Sequence, residues 1–272
     1  MSRKKLIGIV AACITVVIAV SVVSLAGRGP MVAFPDPNLE IAVREALNKP
    51  SGSIHASELA GLANLTASDS GIEHLSGLQY CTNLTTLDLW HNQISDISPL
   101  ADLTSLTYLE LGDNGISDIC PLANLTNLKY LYLYSNQIGD VSPLVNLTDL
   151  RSLSLQYNQT NDISSLANLT SLVGLDLCHN QLSDISPLAN LTNLTYVYLQ
   201  RNQVGNISVL ANLTNLTEIL LYSNQIGDIS PLMDNPGLGE GDYVSLGNNP
   251  LSSDSVDTYI DELRMRGVKV DY

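Results

Sequence analysis

Residues 84–105 read LTTLDLWHNQISDISPLADLTS, and the same pattern returns as LTYLELGDNGISDICPLANLTN in residues 106–127 and as LKYLYLYSNQIGDVSPLVNLTD in residues 128–149. One asparagine of each unit recurs at a constant interval of 22 residues, at Asn92, Asn114, Asn136, Asn158, Asn180, Asn202 and Asn224. A degenerate unit with Ser70 precedes them, and Asn249 follows after 25 residues, so three residues are inserted around Gly239 to Asp242. A constant period of this length predicts one fold of stacked, equivalent coils.

Each unit fits the leucine-rich-repeat pattern L-x-x-L-x-L-x-x-N-x-I/L. Leu87 and Leu89 are two residues apart, so on a short strand both point to the same side, into the core. A lone coil cannot bury these side chains, whereas stacked coils form a continuous apolar column. The recurring asparagine amide can donate and accept, so it can satisfy backbone groups where the chain leaves the strand. The sequence therefore predicts an α/β repeat solenoid in which each coil contributes one short strand.

The side opposite the strands is predicted to hold short helical turns. Ser98-Pro99 begins such a turn, with Ser as its cap and Pro at the first helical position. Because a helical turn is wider than a strand, the stack is expected to curve with its sheet on the concave side. Helical caps should close both ends: one opens at Asp36-Pro37 and stops near Pro50, and the other runs from Ser253 to Gly267 before an edge strand in residues 268–270.

The amino terminus predicts export. Leu6 to Gly27 carry no charge, follow Arg3, Lys4 and Lys5, and as a helix are long enough to cross a bilayer. Three outcomes are open: a retained membrane anchor, a signal peptide cut after Ala26, or lipidation at Cys13. In each, the positive-inside rule places the rest of the chain outside the cytoplasm, membrane-anchored, at the cell surface or secreted.

The predicted organisation has four parts. Residues 1–30 form the signal peptide or anchor, 31–61 the amino-terminal cap, 62–251 the repeats, and 252–272 the carboxy-terminal cap helix and edge strand. The Asn-x-Ser/Thr triplets recur with the repeat, so they are interpreted as structural and the protein as bacterial.

A family resemblance covers about residues 34 to 235. Phe34-Pro35-Asp36, the segment Gly77-Leu78-Gln79-Tyr80, and repeats reading NLTxLxxLxLxxNQIxDISPLA look like the internalin-type bacterial leucine-rich-repeat proteins. The resemblance implies a right-handed leucine-rich-repeat coil with a parallel β-sheet on the concave face and 3₁₀ turns on the convex side. It also implies recognition of proteins outside the cell. Neither an immunoglobulin-like pattern nor an LPxTG-type signal follows the repeats in this sequence, so a host-adhesion role is not carried over.

The predicted binding surface is the outward side of the strands. The chain has twelve Tyr against one Phe and one Trp, and many of these aromatic residues alternate with the buried leucines. The candidate partner-binding residues are Trp90, Tyr108, Glu110, Tyr130, Tyr132, Tyr134, Asp176, Tyr196, Tyr198, Glu218 and Tyr222.

Two aromatic patches are expected on this surface. The small residues Ser152, Ser154 and Gly174 separate the patch around Tyr132 from that around Tyr198 by three strand spacings, roughly 14 Å. A shallow saddle between two aromatic walls is the hypothesis, fit for a protein loop, a helix edge or a glycan. The carboxylates on this side favour a partner with a basic patch. The other interpretation is that Tyr merely suits strands.

Other classes of function are disfavoured. The net charge is −15, and only eight basic residues follow residue 30 against 27 acidic ones, which disfavours nucleic acid. His91 and His179 lie four coils apart, about 19 Å, and no nucleophile or phosphate-loop motif occurs, so no enzyme and no cofactor are predicted.

Three cysteines after residue 30 do not suggest a disulfide framework, and they are interpreted as chemically inert. Stacked aspartates, such as Asp96, Asp118 and Asp140, could bind calcium, but they are better explained as acceptors for their own turns, since Asn206 replaces one of them.

The sequence thus predicts a monomeric extracytoplasmic binding protein that meets the membrane only through its amino-terminal segment. The alternative is a structural or adhesive spacer of the cell envelope without a dedicated concave site.

Overall fold

The computed structural model describes residues 27–272. Within this range, no helix has the length and apolar character needed to cross a membrane. The predicted anchor or signal segment, apart from its last residue, lies outside the described residues. The three possible outcomes for this segment therefore stay predictions.

A ten-stranded sheet runs through all the repeats. Its strands follow chain order, and every neighbouring pair is parallel, from β3 at one edge to β12 at the other. The strands are β3 (Asn64–Thr66), β4 (Thr86–Asp88), β5 (Tyr108–Glu110), β6 (Tyr130–Tyr132), β7 (Ser152–Ser154), β8 (Gly174–Asp176), β9 (Tyr196–Tyr198), β10 (Glu218–Leu220), β11 (Tyr243–Ser245) and β12 (Lys269–Asp271). The predicted leucine-rich-repeat solenoid with a parallel concave sheet is confirmed.

The core is one column of aliphatic side chains. In the coil of β4, Leu87 and Leu89 from the strand and Ile94, Ile97 and Leu100 from the return are at most 1% exposed. The equivalent residues of the next coils are buried in the same way. Each coil thus contributes a flat layer that is covered only when its neighbours are present.

The side of each coil opposite the strand is a short helical turn. Six 3₁₀ turns stand at the repeat interval: Ser98–Leu100, Cys120–Leu122, Ser142–Asn146, Ser164–Asn168, Ser186–Asn190 and Ser208–Asn212. The eighth coil has a short α-helix instead, α3 (Ser230–Met233), and Leu78–Tyr80 is the 3₁₀ turn of the first.

The expected serine cap is wrong. Ser98 is the first residue of the turn rather than its cap, and its backbone N–H donates to Asp96 Oδ1 at 2.8 Å. The same bond recurs at Asp118, Asp140, Asp162, Asp184 and Asp228, and Asn206 makes it through its amide oxygen. The aspartate lies two residues before the first residue of the turn, so its carboxylate can accept from the N–H of that residue, which has no partner within the turn. The serine hydroxyl stands on that same residue and does not accept from its own N–H. The interpretation of these aspartates as acceptors for their own turns is confirmed.

The asparagine ladder joins each coil to the one before it. Asn158 Nδ2 donates to Leu133 O of the preceding coil at 2.9 Å and to Leu155 O at 3.1 Å, while its Oδ1 accepts from Ile138 N at 2.9 Å. The same bonds recur along the stack. Buried backbone groups at the bend after each strand are thereby paired, as expected.

The residue before each ladder position has a left-handed backbone, which the sequence analysis missed. Nine consecutive coils place a non-glycine residue there with φ between 51° and 57°: Asp69, His91, Asp113, Ser135, Tyr157, His179, Arg201, Ser223 and Asn248. This conformation turns the chain sharply out of the strand. It is unfavourable for most L-residues.

A helical cap closes the first coil. Helix α1 (Pro37–Ala46) begins at Asp36, whose Oδ1 accepts from Asn38 N and Leu39 N and whose Oδ2 accepts from Glu73 N and His74 N. Burial acts to raise the pKa of Asp36, but these four donors lower it overall. A second short helix, α2 (Ala56–Leu59), follows, and β1 (Met31–Val32) pairs antiparallel with β2 (Ile54–His55).

The last coil is covered by a short helix and a strand. A π-helix (Ser255–Tyr259) leads into α4 (Ile260–Met265), whose Ile260 and Leu263 are fully buried. Strand β12 then pairs with β11 at the edge of the sheet, close to the predicted position.

Candidate binding face

The strand face is the set of outward side chains on β4 to β10 and in the two residues after each strand. Along β4 the burial alternates, with Leu87 buried between the half-buried Thr86 and Asp88. Register is kept from strand to strand, so Tyr108 lies directly beside Tyr130, and Glu110 beside Tyr132. Equivalent positions of successive repeats therefore form rows across this face.

Two tyrosine clusters occupy the strand face. In the first, the ring centroid of Tyr108 lies 6.3 Å from that of Tyr130 and 5.7 Å from that of Tyr132. In the second, the rings of Tyr196 and Tyr198 are 5.1 Å apart. These are the tilted contacts that aromatic rings prefer.

A pocket of about 390 Å³ lies between the two clusters. Seven of the eleven candidate residues line it, together with residues of β7 and Gln156: Tyr108, Glu110, Tyr132, Tyr134, Ser152, Leu153, Ser154, Gln156, Asp176, Tyr196 and Tyr198. The structure thus brings most of the candidate residues to one depression.

Tyr196 occupies part of the expected saddle. Its ring lies across Gly174, so close that a Cβ on that glycine would be 1.9 Å from it. The Tyr196 hydroxyl reaches Ser152 Oγ at 3.3 Å. Tyr134 covers Gly112 in the same way, at 2.3 Å from the site of a Cβ. Each glycine therefore lets a tyrosine of the next coil fold over the sheet.

Glu110, one of the candidate contact residues, lines the pocket but is largely buried. Glu110 is only 8% exposed and lies among the tyrosines of the first cluster. Its Oε1 accepts a hydrogen bond from Gly112 N at 2.7 Å. Burial raises the pKa of Glu110 to about 7, and the charge of Asp88 adds to the effect. Burial also raises the pKa of Asp176, which accepts from Cys178 N at 3.1 Å.

Four candidate residues lie outside the pocket. Trp90 and Tyr130 are among the exposed large apolar side chains, at 41% and 39%. Glu218 accepts from the Tyr198 hydroxyl at 2.9 Å and thereby holds a wall of the pocket. Tyr222 is half-buried beyond β10.

His91, His179 and Cys178 make separate contacts in the repeats. His91 contacts Asp113 and lies 3.6 Å from Asp69, and the bond to Asp113 raises its pKa. His179 stacks on Tyr157 with centroids 3.9 Å apart. Cys178 is buried, its thiol donates to Gln156 Oε1 at 3.3 Å, and burial raises its pKa, so the reactive thiolate is disfavoured.

The aspartate ladder offers no assembled cation site. The backbone N–H bonds of the turns lower the pKa of Asp118, Asp140 and Asp184, and these carboxylate oxygens are engaged within their own coils. Among residues 27–272, no three His, Cys, Asp or Glu side chains converge as a metal site would require.

Two features of the surface were missed. Tyr157 is 51% exposed at the rim of the strand face, at a position where the other coils have Asp, His, Ser, Arg or Asn. A groove of about 610 Å³ lies along the edge where the chain enters the strands and includes Lys129 and Arg151, which occupy the same position in consecutive repeats. That repetition was the available signal.

Comparisons with known proteins agree with this architecture. The family model described as leucine-rich repeats in two copies matches residues 82–124, 126–168 and 170–212. Internalin C of Listeria monocytogenes is 42% identical over 60 residues, which are 21% of this chain and 20% of that protein.

Two solved structures from the same species are similar over most of the chain. The internalin inlF is 41% identical, with a TM-score of 0.77, over 80% of this chain and 64% of that one. Internalin C2 is 41% identical, with a TM-score of 0.73, over 80% of this chain and 94% of that one. The repeats, the caps and this likeness show that the chain belongs to the internalin-type bacterial leucine-rich-repeat proteins.

Proposed function

We propose that this chain is an extracytoplasmic, monomeric protein that binds a protein partner through its strand face. The observation that carries the proposal is the pocket between the two tyrosine clusters, since its walls are aromatic and its lining includes two carboxylates. Tyrosine and tryptophan are the usual anchors of protein interfaces. The uncharged segment from Leu6 to Gly27 supports export.

The strand face is also where the repeats differ from one another. The leucines, asparagines and aspartates are engaged in the core, in the ladder and in the turns. The residues of the strand face take no part in the core, the ladder or the turns, and they include Trp90 and most of the tyrosines. A pure spacer would not need this composition on one side.

The test is capture of partners from a surface extract of the producing organism. We expect the wild-type chain to retain a protein that Tyr132→Ser/Tyr198→Ser does not retain, while Tyr80→Ser, which removes an exposed tyrosine from the opposite side of the first coil, retains it. Thermal unfolding of each variant shows that the fold is kept.

Equal capture by the wild type and the double variant would refute the strand face as the binding surface and would favour the spacer. Capture that survives protease digestion of the extract would point to a glycan instead of a protein.

A further inference from the structure

We propose that the pocket between the tyrosine clusters receives one cationic side chain, an arginine or a lysine, of the protein partner. This inference rests on the proposed function, because it names the group that the partner inserts. The strand face as a whole favours a basic partner, and this inference assigns that preference to one cavity and to one type of contact.

The side chains that line the pocket carry negative charge and no positive charge. Glu110 and Asp176 both line it, and among its eleven lining residues there is no Lys, Arg or His. Within residues 27–272 neither carboxylate has an ion-pair partner, and each accepts a backbone N–H from the residue two positions on. Two partly desolvated carboxylates without a counter-ion favour a cation and repel an anion.

The walls of the pocket are aromatic. Tyr108 and Tyr132 on one side and Tyr196 and Tyr198 on the other present aromatic rings to the cavity. A cation over such rings gains attraction from their quadrupoles, and most when water is excluded. The methylene stem of Lys or Arg also matches an apolar wall that a small inorganic ion would leave uncovered.

One polar atom of the pocket lining has no hydrogen-bond partner. Ser154, which is only 7% exposed and lines the pocket, has a hydroxyl oxygen without a hydrogen-bond partner in the described part of the chain. Buried hydroxyls are normally paired. This oxygen exposes less than 1 Å² of surface, so the N–H of a guanidinium or ammonium would supply the missing donor once a neighbouring side chain turns aside.

The basic side chains around the pocket do not fill this role. His179, which follows Cys178, acts on Asp176 only through its charge and does not line the pocket. Arg201 is exposed at the rim of the strand face. The pKa of His179 is lowered mainly by burial, and the charge of Arg201 lowers it further. Arg201 does not line the pocket. The cation must therefore come from another molecule.

The experiment titrates the full chain with Nα-acetyl-arginine amide and Nα-acetyl-lysine amide and follows the backbone amides of Gly112, Ser154 and Cys178 by NMR. Nα-acetyl-norleucine amide, which has a similar stem without the charge, is the control ligand. We expect the cationic amides to shift these three signals with an affinity about tenfold higher than norleucine amide. Affinity should rise between pH 5.5 and 8, since Glu110, facing Asp88, Tyr108, Tyr132 and Tyr134, loses its proton in that range.

The variant Glu110→Gln/Asp176→Asn should lose the preference for the cation. The matched variant Asp102→Asn/Asp149→Asn, which removes two exposed carboxylates elsewhere, should keep it. Absence of shifts at roughly 50 mM probe, or equal shifts with norleucine amide, would overturn the inference.

The two proposals fail separately. Partner capture that depends on Tyr132 and Tyr198 without any response to arginine amide leaves the proposed function intact and refutes the cation pocket. A response to arginine amide with capture that ignores these tyrosines does the reverse.

Discussion

Replacing Glu110 with Gln is expected to stabilise the free protein at neutral and alkaline pH but not in acid. The folded protein holds the proton of Glu110 up to a pKa of about 7, against an ordinary value of 4.5. Between these values the folded state binds more protons than the unfolded state, so the free energy of unfolding of the wild type falls as pH rises.

The size of the effect follows from that difference. Each pKa unit corresponds to about 1.4 kcal/mol, so the ionised carboxylate costs the wild type about 3 kcal/mol once the pH exceeds 7. Glutamine carries no charge, and its amide oxygen can still accept from Gly112 N. The two proteins should therefore have similar stability at about pH 4 and differ by about 3 kcal/mol at about pH 8.

Guanidinium titrations followed by circular dichroism at several pH values measure this difference. Tyrosine fluorescence should give the same midpoints if the solenoid unfolds as one unit. Asp102→Asn serves as the control, because it removes one negative charge from an exposed position. A stability difference between wild type and Glu110→Gln that does not change with pH would refute the burial of an ionisable carboxylate in this pocket.

Three further variants test the coils and the pocket. Asn158→Ala leaves buried backbone groups of two coils unpaired and should lower the free energy of unfolding by about 3 kcal/mol in denaturant titrations. Ser135 has a φ of 52°, so Ser135→Gly should raise the melting temperature, whereas Ser135→Val should lower stability by about 1–2 kcal/mol. In Gly174→Ala the new methyl would overlap the Tyr196 ring, and we expect the ring to leave its place and partner affinity to fall about tenfold with the fold retained.

Each of these has a clear contrary result. An Asn158→Ala protein as stable as the wild type would mean that the ladder is dispensable. A lower melting temperature for Ser135→Gly would contradict the left-handed backbone at that position. An unmoved Tyr196 in an NMR or crystal structure of Gly174→Ala would contradict the close approach of ring and glycine.

The repeat explains why the fold could be predicted from the sequence. Leu87, Leu89 and Asn92 recur in equivalent environments, so one coil determines the others, and the helix opening at Asp36 follows from local capping. Shorter or less regular elements were missed. Strands β1 and β2 have only two residues each, too few for a periodic pattern. The apolar spacing of residues 255–259 does not distinguish the π-helix found there from the α-helix that was predicted.

The strand face was predicted in its composition but not in its side-chain directions. Alternation places Tyr134 and Tyr196 outward, but the fold of each ring over a glycine of the previous coil depends on space that only the stacked structure reveals. The same holds for Glu110, which is only 8% exposed beside Tyr132 of the next strand. Residue type sets what a side chain can do, and its neighbours in adjacent coils set where it lies.

Photo-crosslinking tests the strand face as the binding surface most directly. A photoreactive phenylalanine analogue placed at Tyr130, exposed on the strand face, is compared with the same analogue at Val145, which is equally exposed on a 3₁₀ turn of the opposite side. After irradiation in the surface extract, we expect a discrete protein adduct from position 130 and none from position 145. An adduct from position 145 alone, or the same adduct from both, would contradict the account.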